Sequence, residues 1–155
     1  MTQTQIVIAP DKRYALGRSQ MPATKSPGKS TPPTKTAGRF RIKRIYEPAA
    51  KDDGLRVLVD RLWPRGIAKQ KAHIDLWLRD LSPSDALRRM VHADPTKWNE
   101  FLKAYARELK QEPARTALAD LRKLPRSQPV TLLYAARDEA HNNAVALKRW
   151  LERTK

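Results

Sequence analysis

The chain has 155 residues, and its 32 Lys and Arg against 16 Asp and Glu leave a formal charge of +16. With 0 Cys it excludes disulfides, thiolate nucleophiles and cysteine-ligated metal centres, and no apolar run approaches the ~18 residues of a membrane span. These figures point to a cytoplasmic chain with a single folded domain and no membrane contact, basic enough to attract polyanions, although charge speaks of partners and not of fold.

Residues 22–37 hold four Pro, four Thr, three Lys and two Ser with no large apolar side chain, too little to offset the entropy of ordering. Residues 1–37 therefore read as a disordered tail whose six basic residues and one acid give a net +5. Within it, Ile6–Ala9 reads as a floppy terminus or an added edge strand, and the tail as a solubilising extension or a nucleic-acid arm. The α/β domain is placed at 38–155. It opens where Phe40 and Ile42 alternate with Arg39, Arg41 and Lys43, the pattern of a half-exposed strand with a basic stripe on its outer face. A turn-rich stretch from Glu47 to Gly54 leads to a second strand, Leu55 to Asp60, stopped by Pro64 and Gly66. That connection is too short for a helical crossover, so the two strands are either antiparallel neighbours or separated in the sheet.

Residues 72–81 suit a strand or a helix equally, because Ile74, Leu76 and Leu78 alternate while Trp77 and Leu81 fit a helical face. Ser82-Pro83-Ser84-Asp85 supplies an N-cap Ser with Pro at the first helical position, which predicts a helix over 83–91. Asp94-Pro95 opens a second, carrying Trp98, Phe101, Leu102, Tyr105 and Leu109 to about 111, and Pro113 starts a third with Ala114, Ala117, Leu118, Leu121 and Leu124 on one face. Val130–Ala135 reads as a buried strand, and Asp138 as the cap of a last helix with Ala144, Leu147, Trp150 and Leu151 inward. Strands at both ends with helices between them specify a small mixed or partly parallel sheet flanked by helices.

Chemistry concentrates in the loops after the two most apolar strands. The first runs Asp60-Arg61-Leu62-Trp63-Pro64-Arg65-Gly66; the second runs Ala136-Arg137-Asp138-Glu139-Ala140-His141-Asn142. Ligands of open α/β sheets collect beyond the carboxyl ends of the strands, so parallel neighbours would bring Arg61 or Arg65, Arg137, His141 and Asn142 to one crevice. A helix starting at Asp138 would add unpaired N–H groups for an anion and place His141 at its third position, where the dipole favours neutral imidazole. Structural roles compete with each of these: Asp60 pairing with Arg61 or a loop amide, Trp63 and Pro64 stiffening the loop, Asp138 only capping, His141 and Asn142 only capping or facing solvent. His73 and His92 carry no signal. No pattern of His and acids suits a metal, no glycine-rich motif suits a dinucleotide or a P-loop, and Ser82, Ser84 and Ser127 lack an elbow, so no cofactor is assigned.

The blocks 52–66, 74–90 and 130–147, in this order and spacing, resemble the YeaO-like branch of domain of unknown function family 488, a group of small bacterial proteins, and the resemblance covers about 39–155. It implies an α/β domain and marks Asp60, Arg61, Trp63, Pro64, Arg65 and Gly66 in the first loop, and Tyr134, Arg137, Asp138, His141 and Asn142 in the second. The other branch of the family carries a cysteine near the position of His141, so its thiol chemistry does not transfer to a chain with 0 Cys.

Three readings follow, the third being a protein-interaction domain whose charge is incidental. In the first, an Arg-rich crevice holds a phosphorylated or nucleotide-like small anion, with or without turnover: Arg65 and Arg137 clamp charge, Arg61, Trp63, Tyr134 and Asn142 contact the ligand, and His141 with Asp60 or Asp138 moves protons. In the second, a basic nucleic-acid module tracks phosphates with Arg39, Arg41, Lys43, Arg88, Arg89 and the tail, while Trp63 or Tyr134 stacks a base.

Overall fold

The alternation at the start of the domain forms β1 (Phe40–Arg44) in the computed structural model, which describes residues 38–154. The expected tail 1–37, with Ile6–Ala9, lies outside these residues. β2 (Leu55–Leu58), β3 (Leu76–Trp77) and β4 (Val130–Tyr134) complete a four-stranded sheet ordered β1-β4-β2-β3 in which every pairing is parallel. Among the described residues the sheet is thus parallel throughout. β4 sits between β1 and β2, in register Phe40 to Val130 and Leu55 to Val130, so the first two strands are separated rather than paired. All five residues of β4 are buried, as a central parallel strand covered on both faces requires, which explains its uninterrupted apolar run.

Residue parity sorts the two faces. Val57, Val59, Val130, Leu132 and Tyr134 pack with the helices, with Phe40, Ile42 and Leu55 at the margin. Leu58 and Leu133 point the other way into a smaller cluster with Ile45, Ala72, Ile74 and Trp77, closed by Trp63 and Ile67 from a loop. Helices therefore cover one face and connecting segments the other. The basic stripe is engaged: Arg41 pairs with Asp52 at 3.6 Å and Lys43 with Asp53 at 2.8 Å on the loop-covered face, while Arg39, just before β1, donates to the Leu124 carbonyl at 2.5 Å. Beside it lies buried Arg56, which pairs with Asp53 and donates from Nε to the His73 carbonyl at 2.8 Å. At the amino end of β2, Pro129 O accepts from Leu55 N at 2.9 Å; a Cβ on Gly54, whose φ is 66°, would stand 2.1 Å from that oxygen, so only glycine fits.

The segment 72–81 takes something of both readings, ending in two-residue β3 followed by a 3-10 turn at Arg79–Leu81. Helix α1 (Asp85–Ala93) is capped by Ser84, whose hydroxyl accepts from Leu87 N at 3.4 Å. The expected cap, Ser82, instead donates to Arg79 O at 2.7 Å and closes the preceding turn. Both serines can cap; Ser84, the one that does, also donates its backbone N–H to Glu108 at 2.9 Å. Asp94 accepts from Thr96 N at 3.0 Å and starts the turn that leads into α2 (Trp98–Glu108). Helix α3 (Ala114–Lys123) buries Ala114, Ala117, Leu118 and Leu121 as its spacing predicts. The last helix, α4 (Asn143–Arg153), starts later than the sequence suggests: its cap is Asn142, accepting from Val145 N at 3.0 Å, and Asp138 caps a turn before it. No described helix is long and apolar enough to cross a membrane.

Candidate ligand-binding site

Because β2 and β4 are parallel neighbours, their carboxyl ends open side by side, and Asp60 joins them. Its Oδ2 accepts from Ala135 N at 2.8 Å and its Oδ1 from Asn143 Nδ2 at 3.0 Å, while its backbone carbonyl accepts from Trp77 Nε1 at 2.8 Å. One residue thus fastens β2, β4, β3 and the start of α4. Asn143 adds a second bond, from Nδ2 to Val59 O at 2.9 Å. Burial pushes the Asp60 carboxyl above the usual range, against the lowering effect of Asn143, the Ala135 N–H and the nearby Arg88 charge.

Beyond this junction lies a cavity of about 600 Å³. Of the residues that sequence reasoning singles out, Asp60, Arg61, Trp63, Arg65, His141 and Asn142 line it, with Pro64. Exposed Arg61 is 3.6 Å from Asp85, and Arg65 makes no side-chain hydrogen bond or ion pair among the described residues. Trp63 is held in the wall by its indole N–H donating to Ile67 O at 2.7 Å and by an edge contact with Trp77, so it also serves the loop.

The second loop folds on itself before α4 begins. Asp138 Oδ1 accepts from Ala140 N and His141 N, each at 2.9 Å, and its Oδ2 lies 3.1 Å from His141 Nδ1. Those backbone N–H bonds, His141 N first, hold the Asp138 carboxyl below its ordinary range. His141 consequently precedes the helix instead of occupying its third position, and the dipole argument for it does not apply; its ring is oriented by Asp138 and by edge contact with Trp98. Asn142 is buried, and both its amide atoms are engaged: Oδ1 in the cap and Nδ2 donating to Asp138 O at 2.9 Å. Tyr134 is buried in the helix-side core, and Arg137 is exposed; neither lines the cavity.

Arg88, Val91 and His92 from α1, Phe101 from α2 and Asn143 from α4 also line it, with Tyr46, Leu62, Ser82, Pro83, Ala135 and Ala136. Sequence reasoning assigns Arg88 only to a general basic patch and gives His92 no role, because nothing local in α1 or α2 announces that they face loops so distant in the chain. The lining is graded: Val91, Phe101 and Asn142 are buried, Asp60, Asn143 and Arg88 half-buried, and Arg61, Arg65 and His92 exposed at the rim.

Over residues 39–155 the chain matches the family described as the inactive DUF488-N3 subclade. It is 44% identical over 113 residues to the protein titled "Uncharacterized protein YeaO" of Escherichia coli (strain K12), a match covering 72% of this chain and 96% of that one. It is 42% identical over 113 residues to "Uncharacterized protein Rv3073c" of Mycobacterium tuberculosis (strain ATCC 25618 / H37Rv), covering 73% and 93%. No solved structure matches it.

Proposed function

We propose that the chain, which belongs to the YeaO-like branch of the DUF488 family, binds a phosphorylated or nucleotide-like small anion in the crevice beyond β2 and β4. The observation that carries this reading is the set of guanidinium groups from Arg61, Arg65 and Arg88 around a cavity of about 600 Å³, within the size range of small-ligand pockets. Arg61 and Arg88 share a single carboxylate, Asp85, at 3.6 and 3.0 Å, which leaves positive charge in excess at the mouth. Planar forks of this kind suit phosphate. The apolar floor of Val91 and Phe101 suits the flat body of a nucleoside, and a chain with 0 Cys suits the cytoplasm where nucleotides abound.

Asp138 and His141 have the arrangement of an orienting acid and a proton-transfer base. The family's description as inactive favours ligand retention over turnover. The nucleic-acid reading draws its support from a separate groove where Lys110, Arg115 and Arg122 surround Trp150, with the Arg122 guanidinium over the indole. The stripe of β1 supports it less, since Arg41 and Lys43 already face Asp52 and Asp53.

Titration of the full chain with mononucleotides and inorganic phosphate, followed by tryptophan fluorescence at low and high salt, tests the proposal. Saturable binding with a shallow salt dependence is expected. Arg65→Ala and Arg88→Ala should each weaken it roughly tenfold, equivalent to about 1.4 kcal/mol, whereas Arg137→Ala leaves it unchanged. Binding confined to polymers with a steep salt slope would overturn it in favour of the nucleic-acid module.

A further inference from the structure

The crevice contains a contradiction that a plain anion site would not: a carboxylate sits in its wall. Asp60 forms no ion pair among the described residues, although three arginines line the same cavity. Its oxygens accept only from neutral groups, one bond each, from the Ala135 N–H and the Asn143 amide. A carboxylate offers about four acceptor positions, so roughly two remain, one on each oxygen. An anion placed against them without donors of its own would meet repulsion and leave desolvated lone pairs unpaired.

The remedy has to come from the ligand. Arg61 and Arg65 lie at the exposed rim, while Asp60 and Arg88 are half-buried and share the cavity wall with buried Phe101 and Val91. A ligand that satisfies both ends carries its negative charge at one end and a pair of neighbouring N–H donors at the other, with a flat apolar body between them. We infer that the crevice selects guanine nucleotides, with Asp60 receiving the adjacent N–H donors of the guanine edge and the rim arginines holding the phosphate. Adenine offers a ring acceptor where guanine has its ring N–H, and would set a lone pair against a carboxylate. This inference rests on the binding proposed above and adds to it the identity of the base.

The test compares guanosine, inosine and adenosine monophosphates on the full chain by calorimetric titration. Guanosine monophosphate should bind at least tenfold more tightly than adenosine monophosphate, with inosine monophosphate, which lacks the exocyclic amine, between them. Asp60→Asn, which replaces one acceptor by a donor, should remove the preference, while Arg65→Ala should weaken all three ligands alike and preserve it. Equal binding of the three, or a preference for adenine, would overturn the inference and leave the anion site standing. Absence of saturable binding by any of them would overturn both. Should Asp60→Asn melt before titration, the ranking of the three ligands on the unaltered chain decides the matter.

Discussion

Two aspartates bracket β2, and they are treated in opposite ways. Asp53, before the strand, is enclosed by charge: Lys43 Nζ stands 2.8 Å away, the buried Arg56 guanidinium pairs with it, and the Ala50 N–H donates at 3.0 Å. Asp60, after the strand, has the Ala135 N–H and the Asn143 amide but, among the described residues, no cation in contact. Burial pushes both carboxyls upward; the bonds from Lys43, Ala50 and Arg56 then carry Asp53 below its ordinary range, while those to Asp60 fall short and leave it raised. The cations around Asp53 bind the loop-covered face together and meet its charge. Asp60 keeps acceptor capacity and borders open space, so the same residue type is fully spent on the architecture at one end of the strand and only partly at the other.

The largest test of this contrast is Asp53→Ala, which strands the buried Arg56 guanidinium without its partner. A loss of about 3–5 kcal/mol is expected in urea denaturation, the range for breaking one member of a buried pair. An equal loss from Asp60→Ala would erase the distinction. Next comes acid titration. Because the folded-state value of Asp53 is depressed, its stabilisation is complete above the unfolded value of about 3.9 and drains away as pH falls below it toward the folded one. Asp60 is raised, so protonation favours the folded state, and the same acidification relieves the cost of holding it ionised. Melting temperatures measured through the acid range should therefore show a gentler acid decline in Asp53→Asn and a steeper one in Asp60→Asn. The smallest effect is expected from Asn142→Ala. Asn142 lines the crevice yet spends both amide atoms on protein, so the variant should lose about 1 kcal/mol of stability, typical of a helix cap, with ligand affinity changed less than by Arg65→Ala.

Much of the scaffold was legible because it follows from spacing. The helices over Phe101 and Tyr105 and over Ala117 and Leu121 bury the faces their periodicity announces, and the apolar run Val130 to Tyr134 lies in the middle of the sheet. Where two capping residues stand close together, spacing alone does not choose. Asp138 and Asn142 can each open a helix; the cap belongs to Asn142, and Asp138 spends its carboxylate on the turn around His141. Ser82 and Ser84 repeat the ambiguity, and there the cap belongs to Ser84. The crevice shows the same division. Residues beside the two strand ends, Asp60, Arg61, Arg65 and His141, gather because parallel neighbours end together, whereas Arg88, His92 and Phe101 arrive through helix packing that no local pattern encodes. Strand order was equally hidden, since a short link between β1 and β2 is compatible with β4 lying between them.

That order has a consequence for the nascent chain. The strand that pairs with both β1 and β2 is the last of the four to be synthesised, and Phe40 must wait for Val130 before its ladder can close. Among the described residues, the first strand has no neighbour until then, and β2 has only the two-residue β3. The helices α1, α2 and α3 all leave the ribosome before the sheet they cover can exist. Closure over such sequence distances is slow, so the sheet is completed only after its final strand arrives.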